Sequence, residues 1–157
     1  MIDYGELFHL GVRVPDLDAA MDEMGQSLGL VWAEPQVIDA QSLWTPEGGL
    51  HFVELKFTYS AEGPQHVELL QGSPGSFWDG REHPGAHHVG LWADDVAAET
   101  DRLISAGWSL VGAQSDPGDG AGYGMFSYVQ PSSGLIVEFV DRTLTAFFSD
   151  WWGAALA

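Results

Sequence analysis

The sequence contains no cysteine, and this absence removes a whole group of chemistries. Disulfide bonds, thiolate metal ligands and cysteine nucleophiles are excluded, which leaves histidine and carboxylate side chains as the available metal ligands. Long apolar runs are also absent, since no stretch approaches the roughly 20 residues that a membrane-spanning helix needs. The amino terminus lacks the features of a signal peptide. We therefore expect a cytoplasmic protein that does not enter membranes.

Basic residues are scarce as well. Only 5 of them stand against 23 acidic residues, and the formal net charge is −18. Such a charge repels polyanions, so nucleic acid and anionic membrane surfaces are excluded as partners. Substrates with several phosphates or carboxylates are also disfavoured, because sites for these groups normally use arginine or lysine. We expect a small-molecule substrate that is weakly charged and fairly apolar.

Two segments of the chain repeat one pattern. A histidine occupies the second position of an alternating apolar run, at His9 and again at His88, and each run ends at aspartate. Each repeat later reaches a strand-like segment with a central glutamate, Glu68 in Val-Glu-Leu-Leu and Glu138 in Val-Glu-Phe-Val. The matched order indicates a duplicated module within a chain of 157 residues, which is long enough for a substantial core.

Hydrophobic periodicity predicts the same elements in both copies. Alternation predicts a strand through each histidine, with the imidazole opposite the aliphatic side chains. Asp16, and Asp94 or Asp95, precede apolar residues at helical spacing and are predicted N-caps. Further strands are predicted at 50–59, 65–70, 125–130 and 135–140, and an apolar stripe after position 141 predicts a helical tail. That tail is interpreted as docked on the body, with a lid or a dimer contact as the alternatives.

Pairing two such modules brings two histidines and two glutamates around a common centre. Imidazole and carboxylate ligands together suit a divalent ion, and zinc, nickel, cobalt, iron, manganese and magnesium all remain open. A metal in such a site polarises a substrate oxygen and stabilises an enolate while a nearby carboxylate moves a proton. One buried histidine is more often structural than a ligand, but four residues at matched positions favour His9, Glu68, His88 and Glu138 as metal ligands.

Other side chains are weaker candidates for the site. His66 lies two residues before Glu68 and therefore on the same strand face, and Trp92 shares the face of His88. His51 faces either the core or a cavity. We assign Trp92, His66 and His51 to predicted substrate binding. His83 and His87 are predicted to lie at the surface.

At these residues the chain resembles the vicinal oxygen chelate superfamily, which includes glyoxalase I, methylmalonyl-CoA epimerase, extradiol dioxygenases and bleomycin resistance proteins. The likeness covers about residues 6–141 and is carried by residues 8–12, residues 87–91 with Asp94 and Asp95, and residues 134–139. It implies an α+β fold in which two paired βαβββ modules form a curved mixed sheet around a metal-binding cleft, with a short C-terminal helix. The implied domain is single and spans 1–157, with module one at about 6–72, module two at about 85–141 and the tail at 143–156.

The resemblance also implies a function. His9, Glu68, His88 and Glu138 fall on the ligand positions of the family, in a set like that of bacterial glyoxalase I, while the segment lengths are closer to the epimerase-like members. Methylmalonyl-CoA epimerases usually carry glutamine where Glu68 stands. A glutamate at the metal commonly moves the proton in this family, which makes Glu138 the first and Glu68 the second candidate base. Homodimers are common there, and a homodimer is left open here.

Three functions follow from this reading. The leading one is a divalent-metal-dependent isomerase, epimerase or lyase that abstracts a proton next to a carbonyl of a small, fairly apolar substrate through a metal-stabilised enolate. The first alternative is an iron-dependent extradiol-type dioxygenase, although a fourth ligand at Glu68 crowds oxygen binding. The second is a non-catalytic protein of the bleomycin-resistance type that binds a hydrophobic small molecule. Glutathione and coenzyme A are anionic, and the few cations of this chain support neither.

Overall fold

A computed structural model of the protein describes residues 2–157. Within them the order strand, helix, strand, strand, strand occurs twice, and one more helix follows. The strands are β1 (Leu7–Arg13), β2 (Gln36–Thr45), β3 (Gly49–Tyr59), β4 (His66–Gly72), β5 (Gly85–Ala93), β6 (Ser109–Ala113), β7 (Phe126–Gln130) and β8 (Val137–Asp141). The helices are α1 (Leu17–Leu28), α2 (Val96–Ser105) and α3 (Thr145–Leu156). The prediction of an α+β fold with a mixed sheet and a short C-terminal helix is confirmed.

Aspartate begins both repeated helices. The Asp16 carboxylate accepts a hydrogen bond from the backbone N–H of Ala19 at 2.9 Å, and Asp95 accepts one from Ala98 at 2.9 Å. Each bond satisfies an N–H that the first helical turn leaves unpaired. Helix α1 ends at Gly29, whose φ of 71° is the left-handed conformation that glycine adopts without strain. Both predicted helices are confirmed, and the cap of α2 is Asp95.

The sequence located four strands closely but gave no bounds for β2 and β6. Strand β2 spans Gln36–Thr45 and has mostly exposed or half-buried side chains. Strand β6 spans Ser109–Ala113 and has only 5 residues. Clean alternation of apolar and polar residues requires one deeply buried face and enough length to repeat, and neither strand offers both.

The chain divides into two compact units. The first-repeat unit comprises residues 8–41, 53–87 and 145–157, and the second-repeat unit comprises residues 2–7, 42–52 and 88–144. In the first-repeat unit, β4 pairs parallel with β1 and antiparallel with β3. In the second-repeat unit, β8 pairs parallel with β5 and antiparallel with β7. The two glutamate-bearing strands therefore have the same kinds of neighbours. That the chain is a single domain stays a prediction.

In both units one face of the ladder packs against a helix. Val14, Leu17 and Leu69 form a buried cluster with the methionines of α1. Val96 of α2 packs with Val129 and Phe139 in the corresponding cluster. Side chains alternate across a strand, so Leu69 on the helix face places its neighbour Glu68 on the opposite face. The same alternation separates Phe139 from Glu138.

Helix α3 belongs to the first-repeat unit and packs on its aromatic side chains. The Phe148 ring lies 5.4 Å from Tyr59 and 6.4 Å from Phe8 between centroids, and Trp152 stacks on His66 at 3.7 Å. The helix thus lies against the strands that carry His9 and Glu68. None of the helices among the described residues exceeds 12 residues, which is too short to cross a bilayer.

We expect Phe148→Ala to lower the free energy of unfolding by about 3 to 5 kcal/mol, because truncation of a buried aromatic ring loses its packing and leaves a cavity. The matched control is the neighbouring Phe147→Ala, since Phe147 is 61% exposed and Phe148 only 9%. The control should change stability by less than about 1 kcal/mol. Urea denaturation measures both, and equal losses would contradict the described packing of α3.

The loop that joins β4 to β5 is organised around Asp79. Its carboxylate accepts hydrogen bonds from the backbone N–H of Arg81 at 3.0 Å and of Gly75 at 2.8 Å, and from the Arg81 side chain at 3.1 Å. These donors, the Arg81 backbone foremost, lower the pKa of Asp79 from its ordinary 3.8 to about 2. A carboxyl group with a lowered folded-state pKa stabilises the fold above its unfolded value and loses this effect as pH falls.

We therefore expect the wild type to exceed Asp79→Asn in melting temperature above about pH 4 and to lose this advantage as pH falls toward 2, the folded-state pKa. Thermal melts between pH 2 and 6 measure the difference. Asp39→Asn, at an exposed position on β2, is the matched control and should not alter the pH dependence. A pH-independent difference for Asp79→Asn would show that its ionisation does not stabilise the loop.

Candidate metal centre

The first histidine and glutamate come together across the parallel pair β1 and β4. His9 is fully buried, Glu68 is 5% exposed, and Nε2 of His9 lies 3.4 Å from Oε2 of Glu68. The Cα partner of Glu68 on β1 is Gly11. Residues opposite each other on paired strands share a face, so the position beside Glu68 on β1 carries no side chain.

The second pair repeats this arrangement. Nε2 of His88 on β5 lies 3.1 Å from Oε2 of Glu138 on β8, and both residues are buried. The Cα partner of Glu138 is Gly90, which follows His88 at the same spacing as Gly11 follows His9. The His-x-Gly pattern thus has the same structural place in both repeats, with the histidine beside the glutamate carboxylate and the glycine opposite the glutamate on the paired strand.

The four predicted ligands form one group. His9, Glu68, His88 and Glu138 each offer one ligand atom, and these atoms all lie within 4.8 Å of one another. Two ligands bound to one ion at about 2.1 Å each are about 3.0 to 3.4 Å apart when they are neighbours in its coordination shell. The separations of 3.4 and 3.1 Å within the two pairs match this spacing. The donor set of two imidazoles and two carboxylates therefore fits a divalent ion.

Burial makes the group costly without a cation. An ionised carboxylate away from water loses several kcal/mol of hydration unless charge or hydrogen bonds replace it. Glu68 and Glu138 are only 5% and 6% exposed. A divalent ion offsets the charge of both carboxylates and accepts the lone pairs of neutral imidazoles. The electrostatics of the group thus favour a bound divalent ion, as its geometry does.

Sequence reasoning missed two tyrosines that contact the predicted histidine ligands. Tyr59 and Tyr128 lie edge-on against the imidazoles of His9 and His88, at centroid distances of 5.4 and 5.1 Å. A signal for them exists in the sequence, because each ends a Phe-x-Tyr triplet, at 57–59 and 126–128, shortly before its glutamate. Triplets of this kind are too common to be noticed without the register of the strands.

The predicted substrate-binding residues lie in different surroundings. His66 is the Cα partner of His9, and its Nδ1 lies 2.6 Å from the carbonyl oxygen of Ser60. Burial lowers the pKa of His66, with the charge of His9 as a smaller cause in the same direction. His51 instead approaches the carbonyl oxygen of Gly49 at 2.8 Å. Trp92 is buried and lines a cavity of about 370 Å³.

The remaining two histidines differ from each other. His83 is exposed, as predicted. The prediction that His87 lies at the surface is wrong, because His87 is 9% exposed and its ring packs edge-on against Phe77 at 4.6 Å. The loop that precedes β5 folds back over this end of the strand, which alternation along β5 alone does not reveal.

Comparison with known protein families bears directly on this site. Residues 8–128 match the model of the Glyoxalase/Bleomycin resistance protein/Dioxygenase superfamily. The chain belongs to this superfamily. The match includes the first three ligands, His9, Glu68 and His88, and it confirms the resemblance on which the prediction of the fold rested.

Individual relatives point to one branch of the superfamily. The chain is 29% identical over 142 residues to the ethylmalonyl-CoA/methylmalonyl-CoA epimerase of Cereibacter sphaeroides, a match that covers 85% of this chain and 96% of the relative. In structure it is similar to a variant of Streptomyces coelicolor methylmalonyl-CoA epimerase in complex with 2-nitronate-propionyl-CoA, with a TM-score of 0.59, 18% identity, and coverage of 87% and 93% of the two chains. The enzyme from Mycobacterium tuberculosis gives a TM-score of 0.58 at 19% identity, with 93% and 97% covered. At these identities the structural likeness shows the fold.

We expect the purified protein to bind one divalent ion per chain, and His9→Ala and His88→Ala to weaken the binding at least about 100-fold, since removal of a ligand costs more than removal of its supporting groups. Elemental analysis and calorimetric titration with Zn²⁺ or Co²⁺ measure this. His83→Ala is the matched control and should bind as the wild type does. Unchanged binding in both ligand variants would exclude the four-residue site.

Proposed function

We propose that this protein is a metal-dependent epimerase that removes and returns a proton next to the carbonyl of a small acyl substrate. The observation that carries this proposal is the group of four buried ligand atoms within 4.8 Å of one another, His9, Glu68, His88 and Glu138. The relative from Cereibacter sphaeroides, an epimerase matched over 85% of this chain, supports the same reaction class.

In this proposal the two histidines and the two glutamates hold the ion. A divalent ion so bound supplies positive charge that polarises a carbonyl oxygen and makes the neighbouring C–H more acidic. The identity of the ion is open among zinc, nickel, cobalt, manganese and iron, because imidazole and carboxylate together accept all of them. The buried positions of the ligands exclude water, which strengthens electrostatic effects on a bound substrate.

In this proposal the glutamate carboxylates transfer the proton. Glu138 is the first candidate for the base that removes the proton, and Glu68 is the second. Inversion of a carbon centre requires the proton to leave from one face and return to the other. Two carboxylates, each beside its own imidazole at 3.1 and 3.4 Å, provide a base and an acid for the two faces without any movement of one group around the substrate.

We propose that the substrate is an acyl thioester whose acyl part resembles those of the relatives. The relative from Cereibacter sphaeroides acts on ethylmalonyl-CoA and methylmalonyl-CoA. In this chain, Arg81, Arg102 and Arg142 each form a salt bridge with a carboxylate. Recognition here therefore depends more on the acyl group and the thioester carbonyl than on the phosphates of a carrier.

The three predicted substrate-binding residues differ in how well their positions support contact with a substrate. His66 is the best placed, because it is the Cα partner of the ligand His9 and shares the face of Glu68. Trp92 shares the face of His88, but the cavity that it lines is bordered mainly by acidic side chains and by none of the four predicted ligands. His51 contributes least, since its ring turns toward the carbonyl oxygen of Gly49.

We expect the metal-loaded protein to exchange the proton next to the carbonyl of methylmalonyl-CoA or ethylmalonyl-CoA for deuterium in D₂O, and Glu138→Gln to lower this rate about 100-fold or more, because glutamine cannot accept the proton. Mass spectrometry follows the exchange, and elemental analysis checks that the variant retains its metal. The control is Glu82→Gln, at an exposed position.

Two outcomes would reject the proposal. Full exchange by a metal-bound Glu138→Gln protein would remove Glu138 as the base. Absence of exchange by the wild type with both thioesters, despite bound metal, would reject the epimerase. Oxygen consumption with a catechol would then favour the dioxygenase, and ligand binding without turnover would favour the binding protein.

A further inference from the structure

The Phe-x-Tyr triplets are the third repeated feature around the candidate metal centre, after the His-x-Gly segments and the glutamates. In the first-repeat unit the triplet at 57–59 forms the end of β3, and in the second-repeat unit the triplet at 126–128 begins β7. Both tyrosines are buried, at 3% and 2% exposure. No role is assigned to either of them by the proposed reaction.

The strand register places each tyrosine next to both ligands of its own unit. Tyr59 is the Cα partner of Glu68, and Tyr128 is the Cα partner of Glu138. Directly opposite residues on antiparallel strands have Cβ atoms about 5 Å apart on the same face. The tyrosine ring therefore lies beside the glutamate side chain. It extends toward the histidine, which is on the strand that pairs with the other edge of the glutamate strand.

The rings meet the imidazoles in nearly the same geometry. The Tyr59 and His9 rings are inclined at 87° with centroids 5.4 Å apart, and the Tyr128 and His88 rings are inclined at 80° with centroids 5.1 Å apart. Edge-to-face contacts of this kind stabilise a defined relative orientation, not merely burial. An imidazole that is free to rotate about its side-chain torsions presents its nitrogen to an ion only part of the time.

The residue in the middle of each triplet holds the strand in place from the other side. The Thr58 hydroxyl donates to the carbonyl oxygen of Ala33 at 2.7 Å, and the Ser127 hydroxyl shares a hydrogen bond with that of Thr100 at 2.6 Å. Both are fully buried. A small hydroxyl residue on the outward face and tyrosine on the ligand face explain why the triplet has this composition in both copies.

Further aromatic side chains contact each of the two tyrosine rings. Tyr59 contacts Phe148, Trp151 and Trp152 of α3 at centroid distances of 5.4, 5.6 and 5.7 Å. Tyr128 contacts Phe126 at 5.7 Å. Helix α3 therefore packs against the Tyr59 ring. Truncation of α3 side chains is expected to loosen this ring and so to affect the orientation of His9, the predicted metal ligand.

We propose that Tyr59 and Tyr128 are positioning residues of the metal centre, whose rings hold the imidazoles of His9 and His88 in the orientation that binds the ion. The proposal rests on the metal centre of the proposed function. It assigns the effect to the aromatic ring, because edge-to-face ring contacts join each tyrosine to its imidazole.

The test compares two kinds of substitution at each tyrosine. Tyr59→Phe and Tyr128→Phe keep the ring and remove the hydroxyl, whereas Tyr59→Met and Tyr128→Met fill the space without a ring. We expect the methionine variants to bind Co²⁺ about 10 to 100-fold more weakly, as loss of a supporting group around a metal ligand typically does. Their Co²⁺ absorption spectra should also shift, and the phenylalanine variants should match the wild type in both readouts.

Controls separate positioning from general stability. Phe52→Met removes an aromatic ring from the same strand as Tyr59, at a position 70% exposed, and should alter neither readout. Titrations are made at least 15 °C below each melting temperature, and a Tyr59→Leu variant replaces Tyr59→Met if the latter does not fold. A purely structural tyrosine would lower the melting temperature of the methionine variants without change in Co²⁺ affinity or spectrum, which would overturn the proposal.

Other outcomes are equally decisive. Equal losses in the phenylalanine and methionine variants would make the hydroxyl the acting group and overturn the assignment to the ring. Failure of the wild type to bind Co²⁺ would reject the metal centre, and with it both the proposed function and this inference. Metal binding that depends on the rings, without any thioester exchange, would leave the inference standing and reject the epimerase alone.

Discussion

The structure depends on placing two carboxylates beside two imidazoles out of contact with water. Glu68 and Glu138 are each buried within about 3.5 Å of a histidine nitrogen, and such groups are stable only where charge and hydrogen bonding compensate for lost hydration. The pairing of the surrounding strands places each carboxylate beside an imidazole. Parallel pairing of the histidine strand with the glutamate strand brings the two side chains to one face, and a glycine stands opposite each glutamate.

Repetition of one module supplies this arrangement twice. A single copy contains one imidazole and one carboxylate, which is too few ligands to hold a divalent ion firmly. Two copies double the ligands with no new sequence pattern, and the tyrosines that face the histidines are doubled with them. The copies then diverge outside the centre. Helix α3 contacts Tyr59 in the first-repeat unit, and Phe126 contacts Tyr128 in the second-repeat unit.

The charge of the protein bears on which part of an acyl thioester it recognises. A net charge of −18 opposes the phosphates of a coenzyme A carrier, whereas a buried divalent ion would attract the single carbonyl oxygen of the acyl group at short range. The superfamily includes enzymes of several reaction classes and binding proteins, so membership alone does not decide among them. What supports the proposed proton transfer is the pair of carboxylates in the group, because carboxylates are both common ligands of divalent ions and common general bases.

The sequence by itself determined the repeated modules, the two helices that begin after aspartate, and the choice of His9, Glu68, His88 and Glu138 as predicted metal ligands, because these depend on local periodicity and on residue types that recur in matched order. It did not determine β2 and β6, whose side chains lack a deeply buried face or sufficient length. Only the tertiary structure decided the burial of His87, the pairing of Gly11 and Gly90 with the two glutamates, and the contacts of Tyr59 and Tyr128 with the two histidines. These depend on which residues of distant strands stand opposite each other, and strand register is a property of the folded sheet that no single segment contains.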